Sequence, residues 1–134
     1  MAIRRYKRPT LFTSFWCAIR GVGFAIRSER HMRFHVAATI AAILLGIACH
    51  ISALEWMILS LTLTLVLAAE CINTAIEVTV DMSTRKTRYR AMLSKDLAAG
   101  GVLITAVNAL VVGIFIFAHP IIIFLKGSVT LLGH

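Results

Sequence analysis

Glu70, Asn73, Glu77 and Asp81 are separated by three, four and four residues. On a helix of 3.6 residues per turn, their bearings fall within a sector of roughly 80°. The four residues therefore form one polar stripe on a rod whose other faces are apolar. A carboxylate in hydrocarbon costs on the order of several kcal/mol unless it is paired, solvated or metal-bound. Three of them on one stripe suggest a site. Such a set offers hard oxygen ligands for magnesium and a base that can take a proton from an attacking hydroxyl. It can equally line a path for protons or ions.

The stripe must be held by membrane-embedded helices. The chain has 134 residues, of which 59% are hydrophobic and 15% charged, with a mean hydropathy of +0.86. Soluble domains are about a quarter charged, so these values indicate a single integral membrane domain over residues 1–134. The net charge of +8 does not indicate nucleic acid binding, because the charge is clustered. Eight of the fourteen Lys and Arg lie in residues 1–33 and five more in residues 84–95. Basic clusters flanking apolar runs mark cytoplasmic segments.

Three apolar runs are long enough to span a bilayer: about 34–54, 56–80 and 97–118, with His119-Pro120 expected to close the third. The second run needs the stripe to reach full length, about 37 Å of helix. The stripe therefore lies toward the cytoplasmic headgroups. Before the first span, Pro9 and the candidate cap Thr10 introduce a helix over about 10–27. Its Leu11, Phe12, Phe15, Trp16, Ile19, Val22 and Ile26 share a face, the pattern of an amphipathic helix lying on the membrane surface. Residues 83–95 read as a basic loop, and Lys95-Asp96 opens the third span.

The expected topology puts the N-terminus and the 83–95 loop in the cytoplasm, and the 50–55 turn and C-terminus outside. Glu29, the stripe and Lys95-Asp96 then meet at one level of the plasma membrane. Cys17, Cys49 and Cys71 lack metal or disulfide spacing and read as packing residues. His31 and His35 stand one helical turn apart but have no third ligand nearby in sequence. No secretory leader pattern is evident. The cluster of acids, amide and lysine suits a magnesium–nucleotide site for phosphoryl transfer, although no glycine-rich phosphate-binding signature is present. On the residues alone, an ion pathway and a small structural subunit remain open beside it.

The run Glu70-Cys-Ile-Asn-Thr-Ala-Ile-Glu77-x-x-x-Asp81, followed by Lys95-Asp96-Leu-Ala-Ala-Gly, resembles the prokaryotic diacylglycerol kinase family. The similarity extends from about Thr10 to Phe117. The segment Ser28-Glu29-Arg30-His31-Met32-Arg33-Phe34-His35 resembles the Gram-positive branch, whose members mainly phosphorylate undecaprenol. The resemblance implies an ATP-dependent lipid kinase, with diacylglycerol as the alternative acceptor. It also implies a homotrimer of three-span subunits, each with a surface helix, and active sites at subunit boundaries. Within it, Glu70 is the general base and touches the lipid, Glu29 and Glu77 hold Mg²⁺, and Asn73, Asp81, Lys95 and Asp96 contact or organise the nucleotide. The sequence departs from the family pattern in three places. Lys86-Thr87-Arg88 replaces a frequent Glu-Tyr-His, Ala99 stands where some diacylglycerol kinases carry a serine near the lipid head, and Ser94 replaces an alanine.

Overall fold

The computed structural model describes residues 10–83 and 88–132, with side chains described as far as residue 123. Among these residues the fold is all-α, with α1 Leu11–Ser28, α2 Arg30–Ala48, α3 Ala53–Ser83 and α4 Tyr89–Leu132. Arg30–Ala48, Ala53–Ser83 and Tyr89–Ile123 are long and apolar enough to cross a membrane.

Thr10 caps α1: its hydroxyl oxygen accepts the Thr13 N–H at 3.3 Å. Such a bond satisfies one of the free amides at a helix start. Glu29 ends α1. Its extended backbone, with φ −99° and ψ 125°, is the single-residue joint to α2. Helix α1 packs against α2 and α3. Ala25 is buried there, while the aromatic face of α1 stays open, with Leu11 92% and Phe12 71% exposed.

The α2–α3 turn is closely determined. The Ile51 N–H donates to the Gly46 carbonyl at 3.3 Å and the His50 N–H to the Ile47 carbonyl at 3.2 Å. This is a Schellman closure, with His50 in the left-handed position at φ 51°. The next helix starts with a reciprocal capping box. Glu55 Oε2 accepts from both the backbone N–H and the hydroxyl of Ser52, each at 2.7 Å, and the Glu55 N–H donates to Ser52 Oγ at 3.3 Å. The absence of a side chain at Gly46 leaves room for the Trp56 ring and Ile51 beside the turn. A Cβ there would lie 2.9 Å from Trp56 Cη2 and 3.1 Å from Ile51 Cδ1. Beside this turn, Ile51, Leu59, Ile116 and Phe117 form the buried apolar cluster.

Helices α3 and α4 share the most extensive contact in the chain. Two features of α4 correct the sequence reading. The helix begins at Tyr89, so Lys95 and Asp96 stand inside it and do not end a loop. Arg90, Ala91, Met92 and Leu93 are strong helix formers, and their helix preference prevails over the charge that suggested a loop. The Ala91 and Met92 N–H groups already bond to the Arg88 carbonyl, at 2.9 and 3.1 Å. Of the stretch that departs from the family pattern, Lys86 and Thr87 lie outside the described residues. At the other end, His119-Pro120 does not terminate the helix, which continues through Pro120 to Leu132. Proline removes one backbone hydrogen bond, a loss that membrane helices tolerate.

Candidate active site

Helix α3 divides the stripe by depth. Glu70 is 2% exposed and Asn73 8%, and Thr74 is buried beside them. One turn further, Glu77 is half-buried, and Asp81 is open to solvent. The predicted face exists, and it grades from a buried carboxylate to a solvated one.

Two contacts organise it. Asn73 Nδ2 donates to Glu77 Oε1 at 3.0 Å, which fixes one oxygen of that carboxylate. Lys95 Nζ lies 2.6 Å from Asp81 Oδ1 and ties α4 to the end of α3. Asp81 is exposed and Lys95 partly exposed, so the pair matters for its placement more than for its contribution to stability. The Thr74 hydroxyl donates to the Glu70 carbonyl at 3.0 Å and so stays within its own helix. Asn73 Oδ1 is buried and has no hydrogen-bond partner among the described residues.

Glu70, Asn73 and Glu77 thus stand as one group, with Asp81 and Lys95 as a second beside it. Glu29 is half-buried at the α1–α2 joint. Its side chain forms no hydrogen bond or ion pair among the described residues. Asp96 and Ala99 are exposed on α4 and are likewise not drawn into the cluster. His31 is exposed and His35 half-buried. Among the described residues, no three His, Cys, Asp or Glu side chains come together as a metal-binding group.

A cleft of about 470 Å³ opens between α1 and α3, lined by Gly21, Val22 and Ala25 on one side and Cys71, Thr74 and Val78 on the other. Cys71 and Thr74 flank the buried Glu70 and Asn73 along α3. The cleft is apolar and takes the face of α3 next to the stripe, so Glu70 and Asn73 adjoin its lining residues in sequence without lining it themselves. Periodicity alone did not reveal this cleft. It lies between two helices and depends on how they pack. The Ser52-x-x-Glu55 capping box has a signal in the sequence, a serine followed three residues later by a glutamate.

This is a multi-pass, all-helical membrane protein with a carboxylate–amide cluster at the end of two packed spans. Comparison with known proteins defines its class further. The family described as prokaryotic diacylglycerol kinase matches residues 16–117. An undecaprenol kinase of Bacillus subtilis is 42% identical over 106 residues, covering 79% of this chain and 86% of the relative. A diacylglycerol kinase of Synechocystis sp. is 35% identical over 115 residues, covering 85% of this chain and 66% of the relative. The chain belongs to the prokaryotic diacylglycerol kinase family and is a lipid kinase. Between the kinase and ion-path readings of the stripe, family membership selects the kinase.

Proposed function

We propose that this protein transfers the γ-phosphate of ATP to undecaprenol, giving undecaprenyl phosphate and ADP. The observation that carries the reading is the buried Glu70 on α3. It is accompanied along its face by Asn73 and Glu77, and the neighbouring face of α3 lines the apolar α1–α3 cleft. A lipid alcohol needs an apolar approach and a base at the end of it. A nucleotide needs the solvated end of the same stripe.

In the reaction, Glu70 takes the hydroxyl proton of the lipid. The alcohol oxygen forms its bond to the γ-phosphorus as the bond from that phosphorus to the β–γ bridging oxygen breaks, and ADP leaves. Lys95, held at Asp81, supplies positive charge near the phosphates, and Asp96 and Asp81 organise the polar end of the pocket. The residues fit magnesium. The ion is commonly held by one or two carboxylates together with substrate phosphates and waters, so a set of three protein ligands is not required. Glu77, with one oxygen fixed by Asn73, and Glu29 at the helix joint would hold it. Bound there, it would neutralise phosphate charge.

The Bacillus relative favours undecaprenol as acceptor, and Ala99, which brings no hydroxyl, is consistent with a lipid lacking glycerol. The Synechocystis relative supports diacylglycerol as the second reading. The open aromatic face of α1 suits a helix lying on the cytoplasmic leaflet, and the basic segments place the N-terminus and the α3–α4 connection on that side with the C-terminus outside. The protein acts as a homotrimer with active sites shared between subunits. Added side chains at Gly100 and Gly101 would meet nothing within 4 Å of the protomer, which leaves room for close helix approach.

Purified protein in detergent tests the reading. ATP should be consumed only when a lipid alcohol and Mg²⁺ are both present. Lipid-independent proton flux in vesicles, without phosphorylated lipid, would contradict it.

A further inference from the structure

Asn73 is more than nine-tenths buried, and its two polar atoms have different fates. Nδ2 donates to Glu77 Oε1 at 3.0 Å. Oδ1 is the one buried side-chain polar atom without a hydrogen-bond partner among the described residues. Leaving a buried acceptor empty is costly, and folded proteins rarely tolerate it without a reason. Because the donor half of the amide is committed, the acceptor half is oriented too. What completes it must bring a hydrogen.

The chain's own neighbours do not supply one. Thr74 spends its hydroxyl hydrogen on the Glu70 carbonyl at 3.0 Å. The Lys95 ammonium sits on Asp81 at 2.6 Å. Glu77 is an acceptor in its contact with Asn73, and no hydrogen bond joins the Glu70 carboxyl to Oδ1. Phosphate oxygens are acceptors as well, so a nucleotide phosphate does not satisfy the atom. The lipid hydroxyl carries a single hydrogen, which Glu70 must take. Magnesium dehydrates reluctantly and keeps several waters when bound, and each brings two hydrogens.

We propose that Asn73 Oδ1 accepts a hydrogen bond from a water in the hydration shell of the catalytic magnesium. Asn73 is then a positioning residue for the metal and not a direct ligand of the nucleotide. One amide orients the Glu77 carboxylate with its nitrogen and a metal-bound water with its oxygen. Outer contacts of this kind govern how firmly a metal is held. The inference rests on the reading that Glu77 holds the metal.

The native protein allows a direct test, because its only asparagines are Asn73 and Asn108. Labelling asparagine with ¹³C at the side-chain carboxamide gives two signals, which Asn108→Ser assigns. Adding Mg²⁺ with a non-hydrolysable ATP analogue should move the Asn73 signal and leave Asn108 in place. The analogue with a chelator, or undecaprenol alone, should move neither. An Asn73 signal that ignores the metal overturns the proposal, and so does one that answers to the lipid alone.

Manganese affinity, measured by paramagnetic resonance in the presence of the analogue, gives a second arm. Asn73→Leu should bind Mn²⁺ about 10- to 100-fold more weakly. Asn73→Asp, which keeps an acceptor oxygen, should stay clearly tighter than Asn73→Leu. Equal losses in the two variants, or native affinity in Asn73→Leu, count against the proposal. If Glu77→Gln also retains native affinity, the metal reading itself fails. If only Glu77→Gln loses affinity, the role of Asn73 alone is wrong.

Discussion

Lys95 Nζ on α4 lies 2.6 Å from Asp81 Oδ1 on α3 and joins two spans at the polar end of the acidic stripe. Asp81 is open to solvent and Lys95 partly so, so the pair is suited to hold a charge in place more than to stabilise the fold. Lys95→Met should therefore leave the thermal unfolding midpoint nearly unchanged. It should raise the KM for ATP about 10- to 100-fold, the range expected when a charge-assisted hydrogen bond is lost. A large drop in the midpoint with an unchanged KM would show that the pair is structural.

Glu70 is the deepest member of the stripe, and its assigned role concerns the acceptor alone. Glu70→Gln should lower kcat by about 10²- to 10⁴-fold, as expected for loss of a general base. Binding of Mg-ATP, measured by calorimetry, should stay close to native. Near-native turnover in this variant would remove Glu70 from the mechanism.

Glu77 should separate from Glu70 in the opposite sense. Glu77→Gln should weaken binding of the metal-nucleotide complex and shift the Mg²⁺ dependence of activity to higher concentration. The direction follows from loss of a charged oxygen ligand. Titration of activity against free Mg²⁺ at saturating lipid reads this directly, and an unshifted curve assigns the metal elsewhere.

At the opposite end of α3, Gly46 accommodates the Trp56 ring, and a Cβ would meet it at 2.9 Å. Gly46→Ala should destabilise by about 1–3 kcal/mol, a typical overpacking cost, less the helix-propensity gain of up to about 1 kcal/mol. Combining it with Trp56→Leu should recover part of the loss, because the two sites are in contact. Strictly additive losses would mean that the ring does not set the constraint. Activity per folded molecule should not change, since the hairpin turn lies far along α3 from Glu70.

The acceptor preference gives a fifth variant. Ala99 is exposed on the same helix as Lys95, one turn further along. Ala99→Ser should raise the rate with diacylglycerol relative to undecaprenol. Parallel kcat/KM measurements with the two lipids check this, and an unchanged ratio removes position 99 from acceptor choice.

The stripe was legible because helical periodicity is local: residues spaced by three and four share a face wherever the helix goes. Thr10 was legible as a cap for the same reason. The basic neighbourhood of Lys95 reads as the end of a loop, yet Arg90, Met92 and Leu93 carry the helix back to Tyr89. Pro120 was expected to end a helix that in fact continues past it. What the sequence did not disclose depends on tertiary geometry. The cleft at Cys71 and Thr74 lies between α1 and α3, helices far apart in sequence, and arises only from their packing. The division of labour within the Asn73 amide is of the same kind, since spacing shows that Asn73 can reach Glu77 but not which atom is left over.

Competition between acceptors tests the central claim most directly. Purified protein in detergent micelles would be given γ-labelled ATP, Mg²⁺ and equal mole fractions of undecaprenol and diacylglycerol. The account predicts that label passes chiefly into undecaprenyl phosphate, and that Glu70→Gln abolishes transfer to both lipids. Label found chiefly in phosphatidic acid would overturn the acceptor assignment, and label in neither lipid would contradict the kinase mechanism built on Glu70.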